Sequence, residues 1–177
     1  LTNNIAKRIK YPVGWGYYPL PHFFSKGEKT MLLLGTKNFT TQDVIADGII
    51  NIGSVYRKYC KKNACGVGAF SRTNQDISLN QSGIYHITAT LVGSGDAAGD
   101  VTVQLFINGE AVDGAFSTQT ITTADTELRT FVIDYYVLVD KDCILGNEAT
   151  IANSISLVNT GVAATFTSVI VNVSKEV

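Results

Sequence analysis

The sequence predicts an all-β protein: an antiparallel jelly-roll sandwich of about eight strands, preceded by an extended N-terminal arm. Beyond residue 63 the 177-residue chain is rich in Val, Ile and Thr, which favour strands, and it contains no proline. Short apolar or alternating segments recur there at intervals of ~8–12 residues, separated by turn residues. All three prolines and the single tryptophan precede residue 22.

The sign of the net charge changes along the chain at the position where the composition also changes. Residues 1–62 hold ten Lys or Arg against three Asp or Glu, whereas residues 63–177 hold four against twelve. The near-zero net charge therefore conceals two parts of opposite sign. We predict a basic, aromatic anchoring arm over residues 1–47 and a β jelly-roll body over residues 48–177.

The arm is predicted to be extended, because each proline restricts its own backbone and that of the preceding residue. Its aromatic side chains would promote aggregation in water, so we expect them to be buried. They either cover the chain's own body or dock onto another protein, where aromatic residues serve as anchors. The candidate partner-binding residues are Lys7, Arg8, Lys10, Tyr11, Trp15, Tyr17, Tyr18, Phe23 and Phe24.

The next segment, up to the predicted boundary with the body, contains weaker signals. Residues 31–34 fit a short buried strand, and residues 38–43 fit a loop. Alternation begins at Ile49 and continues to Tyr59, which predicts a strand with partly apolar faces. The basic run at 57–62 marks the start of the regular body.

The centre of the body has the strongest strand signals. Residues 84–92 and 101–107 alternate between apolar and polar side chains, and Asn108-Gly109 after them favours a tight type I′ hairpin. The side chains predicted to face the core are Tyr85, Ile87, Ala89, Leu91, Val101, Val103, Leu105 and Ile107.

The remaining strands are predicted from turns and apolar runs. Asp113-Gly114 is interpreted as a second turn, followed by a strand over 115–121. Residues 128–139 form a long strand that is apolar on both faces, which fits burial between two layers or a subunit contact. Residues 151–158 and 165–173 complete the set.

The residues give little support for an enzyme or a cofactor. The two histidines, His22 and His86, lie in the arm and on a polar strand face, and no G-x-S-x-G elbow is present. The three cysteines, Cys60, Cys65 and Cys143, cannot all pair within one chain, and reduced structural thiols are the favoured interpretation over a metal site.

Acidic residues are grouped in turns, where carboxylates usually bind their own backbone. Asp140 and Asp142 alone do not supply a complete calcium loop, so no metal is predicted. No apolar run approaches the ~20 residues of a membrane span. Nucleic acid is not an expected partner, because the acidic body would repel it and the basic and aromatic residues of the arm are not interleaved.

Several motifs resemble known proteins over about residues 48–177. Gly83-Ile84-Tyr85, the hairpin at 105–110 and Phe166 before a Val-rich final strand resemble the trimeric jelly roll of tumour necrosis factor and of complement-type globular heads. The segments 98–103, 123–128 and 157–164 are similar to structural proteins of bacteriophages and prophages, including capsid decoration and head fibre proteins.

This resemblance implies a homotrimeric, non-enzymatic virion protein on the capsid surface, attached through its arm to the major capsid protein or another virion structural protein. The trimer contacts expected from it are Tyr85, Phe131, Tyr135 and Phe166. The alternative is a receptor- or glycan-binding head, an adhesin, on a phage or cell surface. In that case the loops at 93–100, 113–115 and 123–127 would contact a host surface glycan.

Overall fold

Twelve β-strands make up the regular structure of the described residues. The computed structural model describes residues 32–60, 70–139 and 153–176, and no helix occurs in these ranges. The strands are β1 (Leu32–Asn38), β2 (Gln42–Val44), β3 (Gly48–Ile49), β4 (Ser54–Cys60), β5 (Phe70–Arg72), β6 (Asp76–Leu79), β7 (Gly83–Gly95), β8 (Gly99–Ile107), β9 (Glu110–Ile121), β10 (Arg129–Val139), β11 (Asn153–Asn159) and β12 (Ala164–Lys175).

The strands form two sheets packed as a sandwich. The first sheet has the order β10-β7-β12-β1-β4, with β2 paired to β12. The second has the order β5-β6-β11-β8-β9, with β3 paired to β11. All pairings are antiparallel. The predicted fold class, an all-β antiparallel jelly roll, is confirmed.

The hydrophobic core lies between the sheets and takes alternate residues from the long strands. Both strands with clear alternation, β7 and β8, bury the predicted face, although Ile107 at the end of β8 is only partly buried. The fully or almost fully buried side chains predicted for this face are Tyr85, Ile87, Ala89, Leu91, Val101, Val103 and Leu105.

The predicted hairpin between β8 and β9 is present. Asn108 and Gly109 both have positive φ, 54° and 84°, as the two central positions of a type I′ turn require. Asn108 also accepts a hydrogen bond from the backbone N–H of Ser154 through Oδ1, at 2.9 Å. The turn is therefore tied to the neighbouring strand β11.

The second predicted turn, Asp113-Gly114, is instead part of β9, which runs without interruption from Glu110 to Ile121. The register between β8 and β9 shifts between Gln104 and Phe106, and Gly114 adopts a φ of 78° opposite this shift. Extra residues are therefore accommodated as an irregularity within the strand, where glycine tolerates the positive φ.

The sandwich extends N-terminal to residue 48, the predicted start of the body. β1 lies between β12 and β4 in the first sheet, and β2 pairs with β12, so residues 32–44 belong to the sandwich rather than to the arm. A four-residue apolar run was too short to identify the whole of β1. Of the predicted strand from Ile49 to Tyr59, only residues 54–59 form a continuous strand, β4, and Ile49 ends the separate two-residue strand β3.

Candidate functional site

The predicted partner-binding residues of the arm precede Leu32 and lie outside the described residues. The structure therefore leaves their role as a prediction. The same applies to Cys65 and Cys143.

Three of the four predicted trimer contacts are core residues. Tyr85, Phe131 and Phe166 have no exposed surface in the chain, and the rings of Phe131 and Phe166 meet edge to face with centroids 5.9 Å apart. Tyr135 is partly buried and packs against the same core. A side chain buried within its own chain has no surface left for a partner, so Tyr85, Phe131 and Phe166 are corrected as trimer contacts, whereas Tyr135 stays a prediction.

The outward-facing positions of β10 carry the exposed apolar surface. Val132, Tyr136 and Leu138 alternate with buried neighbours and are 56%, 58% and 66% exposed. Leu138 lies opposite Ile84 of β7, which is also exposed, in the antiparallel register. We call Ile84, Val132, Tyr136 and Leu138 the apolar strip; it runs along an edge strand of the first sheet.

A polar cluster is set into the apolar strip. The rings of His86 and Tyr136 lie opposite each other on β7 and β10 and stack with centroids 4.4 Å apart and an interplanar angle of 10°. His86 Nε2 lies 2.7 Å from Asp134 Oδ1. These two contacts fix the orientation of the imidazole ring, so the surface around Tyr136 is held in one arrangement.

The opposite edge of the same sheet face carries tyrosines. The Tyr56 hydroxyl donates to Asn172 Oδ1 at 2.7 Å, and Tyr59 on the same strand is more than half exposed. Lys37 Nζ lies 5.7 Å from the centre of the Tyr56 ring. Apolar and aromatic groups therefore lie at both edges of this face, on β10 and on β4.

The described residues contain no arrangement of catalytic groups or metal ligands. His86 and Asp134 are paired on the outer face of a sheet, and no serine or threonine hydroxyl is bonded to the imidazole within the described ranges. No group of three or more His, Cys, Asp or Glu residues there could hold a metal ion. The described part of the chain also contains no helix long and apolar enough to cross a membrane.

Two of the three loops predicted to contact a glycan lie together. The backbone N–H of Asp125 donates to the carbonyl of Gly95 at 2.9 Å, which joins the end of β7 to the connection before β10. Residues 113–115, the third predicted loop, lie within β9 instead. No single loop surface made of all three segments is formed.

Comparisons with known proteins identify the fold. No family model and no curated protein sequence matches the chain. Murine APRIL matches with a TM-score of 0.56 at 6% identity, covering 82% of this chain and 98% of APRIL. Eiger TNF from S. frugiperda matches with a TM-score of 0.52 at 9% identity, covering 83% and 92%. The globular domain of zebrafish complement 1qA protein matches with a TM-score of 0.50 at 6% identity, covering 80% and 94%.

These similarities establish a TNF-like jelly roll, as the sequence motifs suggested, and at such low identities they establish the fold alone. The doubly apolar run 128–139 predicts a contact surface, but Phe131 and Tyr135, the contacts predicted from it, pack towards the core. The pairing of Val137 with Tyr85 decides which residues face outward, and that register requires the structure.

Proposed function

We propose that this chain is a non-enzymatic structural protein of a bacteriophage particle, either a capsid decoration or a head fibre protein. The resemblance of segments 98–103, 123–128 and 157–164 to phage structural proteins supports this assignment. The TNF-like sandwich agrees with it, because this fold supplies a stable body that needs no catalytic site.

The apolar strip carries the proposal that the protein is a homotrimer. The outward-facing residues of an antiparallel sheet with one solvated face are normally polar. On β10, however, Val132, Tyr136 and Leu138 are exposed to solvent. Burying about 300 Å² of apolar surface per subunit would contribute about 7 kcal/mol before association costs. A second copy of the chain is the proposed occupant of this surface.

The apolar strip and the tyrosines of β4 lie at opposite edges of the first sheet, which suggests how three subunits would form a closed ring. In a cyclic trimer each subunit uses two different surfaces, one for each neighbour. The apolar strip on β10 would pack against the Tyr56 and Tyr59 region on β4 of the next subunit. Aromatic residues with polar groups, such as Tyr136 and Tyr59, are common at the centres of such interfaces.

Analytical ultracentrifugation at micromolar concentration tests the trimer. We expect three times the mass of the chain for the wild type and monomers for Leu138→Glu, because the charge would be buried without a partner. The matched control is Phe116→Glu, since Phe116 is 54% exposed on β9 of the second sheet. A wild-type monomer would overturn the proposal, as would equal dissociation of both variants.

The arm is proposed to attach the trimer to the major capsid protein or another virion structural protein. Its basic charge suits an acidic protein surface, and its aromatic residues suit an anchoring role. In electron microscopy of particles carrying a chain that lacks residues 1–31, we expect density for this protein to disappear while the isolated variant remains trimeric. Retention of that density would exclude anchoring by the arm.

A second candidate function, a receptor- or glycan-binding head, is favoured by one observation. A polar groove near the start of the sandwich has an exposed phenylalanine, Phe39, beside hydrogen-bonding side chains. This combination of an aromatic ring and neutral polar groups is not required by a purely structural role.

A further inference from the structure

A groove of about 510 Å³ opens around the connections that follow β1 and β3. This volume lies within the range of roughly 300–1,000 Å³ that is usual for small-molecule sites. The groove is separate from the apolar strip, because none of its lining residues comes from β7 or β10. The lining residues are Lys37, Asn38, Phe39, Thr40, Thr41, Gln42, Asn51, Gly53, Ser54 and Asn74.

The lining is polar and carries positive charge. Its side chains are mainly amides and hydroxyls, Lys37 supplies an ammonium group, and no carboxylate belongs to it. Asp43 follows directly after the lining residue Gln42, but its carboxylate accepts a hydrogen bond from Thr165 Oγ1 at 2.8 Å. The groove is therefore suited to a ligand with many hydroxyl groups and a negative charge.

Hydrogen bonds hold the inner wall of the groove in place. Gln42 Oε1 accepts from the backbone N–H of Asn51 at 2.8 Å, and Gln42 Nε2 donates to the Asn51 carbonyl at 2.9 Å. Asn51 Oδ1 in turn accepts from the backbone N–H of Gly53 at 2.8 Å. The wall is thus formed before any ligand binds, which lowers the entropy lost on binding.

Other polar groups of the groove are available to a ligand. Within the described ranges, the Thr41 and Ser54 hydroxyls and the Asn74 side-chain amide make no hydrogen bond, and Lys37 forms no ion pair. Each hydroxyl both donates and accepts, and the amide does the same through separate atoms. This set matches the alternating donors and acceptors of sugar hydroxyls.

Phe39 adds an apolar surface to these polar groups. It is 61% exposed, and Lys37 Nζ lies 5.4 Å from the centre of its ring. An aromatic ring can pack against the apolar C–H face of a pyranose, while the nearby ammonium group can pair with a carboxylate on the same sugar. Packing within the chain does not explain why Phe39 is exposed beside Lys37, whereas contact of both side chains with a ligand does.

We propose that this groove binds a saccharide that carries a carboxylate group. Phe39 packs against the sugar ring, Lys37 pairs with its carboxylate, and Thr41, Ser54 and Asn74 bind its hydroxyls. The proposal does not depend on the arm, since every lining residue belongs to one chain and follows residue 31. Lys37 also lies 5.7 Å from the centre of the Tyr56 ring, so the groove borders the β4 surface proposed to contact the next subunit.

Two matched ligand pairs test this proposal by saturation-transfer NMR and calorimetry with the full chain. Sialyllactose and tri-galacturonate are each compared with their methyl esters, so that each pair differs only in the charge of the carboxyl groups. We expect binding of the acidic member of at least one pair, and binding at least tenfold weaker for its neutral member. We also expect Phe39→Ala and Lys37→Gln each to weaken binding about tenfold.

Phe116→Ala is the control, because Phe116 is similarly exposed but lies on β9. Circular dichroism establishes whether each variant is folded. If Phe39→Ala does not fold, Lys37→Gln provides the test of the site. Equal affinity for charged and neutral members would overturn the acidic specificity. Absence of binding to all four probes, or loss of binding in Phe116→Ala alone, would overturn the site, whereas the oligomeric state would be unaffected.

Discussion

The buried side-chain amide of Asn159 donates to the backbone carbonyl of Val162 at 2.8 Å. The same Nδ2 lies 3.3 Å from the carbonyl oxygen of Val44 and 3.4 Å from that of Ile45. Its Oδ1 accepts from the backbone N–H of Gly161 at 3.3 Å. One side chain at the end of β11 therefore connects the turn before β12 to the end of β2.

Replacing Asn159 by aspartate should strongly destabilise the fold. Asn159→Asp keeps the size of the side chain but replaces the donor with a second oxygen that faces carbonyl groups, and it buries a charge. We expect the free energy of unfolding to fall by about 3 kcal/mol in urea denaturation at pH 7. Asn74→Asp, at an exposed position, is the control and should change little. A loss below about 0.5 kcal/mol for Asn159→Asp would contradict the assigned role.

Long strands with one buried face were predictable from the sequence because burial imposes a period of two on their side chains. β7 and β8 were found with the correct inward face, and the turn at Asn108-Gly109 was identified from residues that tolerate positive φ. The short strands β2 and β3 were missed because two or three residues show no period. They form through pairing with distant partners, β12 and β11.

The candidate sites were less predictable because they depend on register and on contacts between distant segments. The doubly apolar run over 128–139 indicated a contact surface, but only pairing with β7 shows that Tyr136 and Leu138 face outward. The groove joins Phe39 to Asn74, which belong to different connections. A single exposed aromatic among polar residues at 38–42 was the one local signal for it.

Removing the Thr36 hydroxyl should stabilise the protein. Thr36 is fully buried on β1, and its Oγ1 makes no hydrogen bond within the described residues. Thr36→Val replaces this hydroxyl with a methyl group of similar size, so the cost of burying an unpaired polar atom is removed. We expect the free energy of unfolding to rise by about 1 kcal/mol in urea denaturation.

Thr36→Ser provides the opposite test, since it keeps the hydroxyl and removes the methyl group. It should lower the free energy of unfolding by about 1 kcal/mol. A destabilised Thr36→Val would show that the hydroxyl has a partner that contributes to folding.

Glu127 should remain ionised in acid and hold the loop before β10. Its Oε2 accepts from the backbone N–H of Thr122 at 2.7 Å, from the Thr122 hydroxyl and from the N–H of Thr123, and Arg129 pairs with Oε1. These contacts lower the pKa of Glu127 from 4.5 to about 2. Because the folded pKa is the lower one, the stabilisation is complete above pH 4.5 and is lost as the pH falls towards 2.

Carboxyl NMR titration should therefore show Glu127 still ionised at pH 3. At pH 7, Glu127→Gln should accelerate amide hydrogen exchange at Thr122 and Thr123, while Glu110→Gln should not. A Glu127 titration midpoint near 4.5 would disagree with the observed hydrogen bonds.

Tyr85 should contribute to the loss of stability at alkaline pH. It is fully buried, its hydroxyl donates to the Gln81 carbonyl at 2.8 Å, and burial raises its pKa to about 12. An unfolded tyrosine ionises near pH 10, so between pH 10 and 12 unfolding releases a proton, and the free energy of unfolding falls by at most about 1.4 kcal/mol per pH unit.

Tyr85→Phe should lack this component and lose about 1 kcal/mol at pH 7 through the missing hydrogen bond. Urea denaturation at pH 7, 10 and 11 measures both effects. Parallel profiles for wild type and Tyr85→Phe would mean that Tyr85 ionises as readily in the folded chain as in the unfolded one.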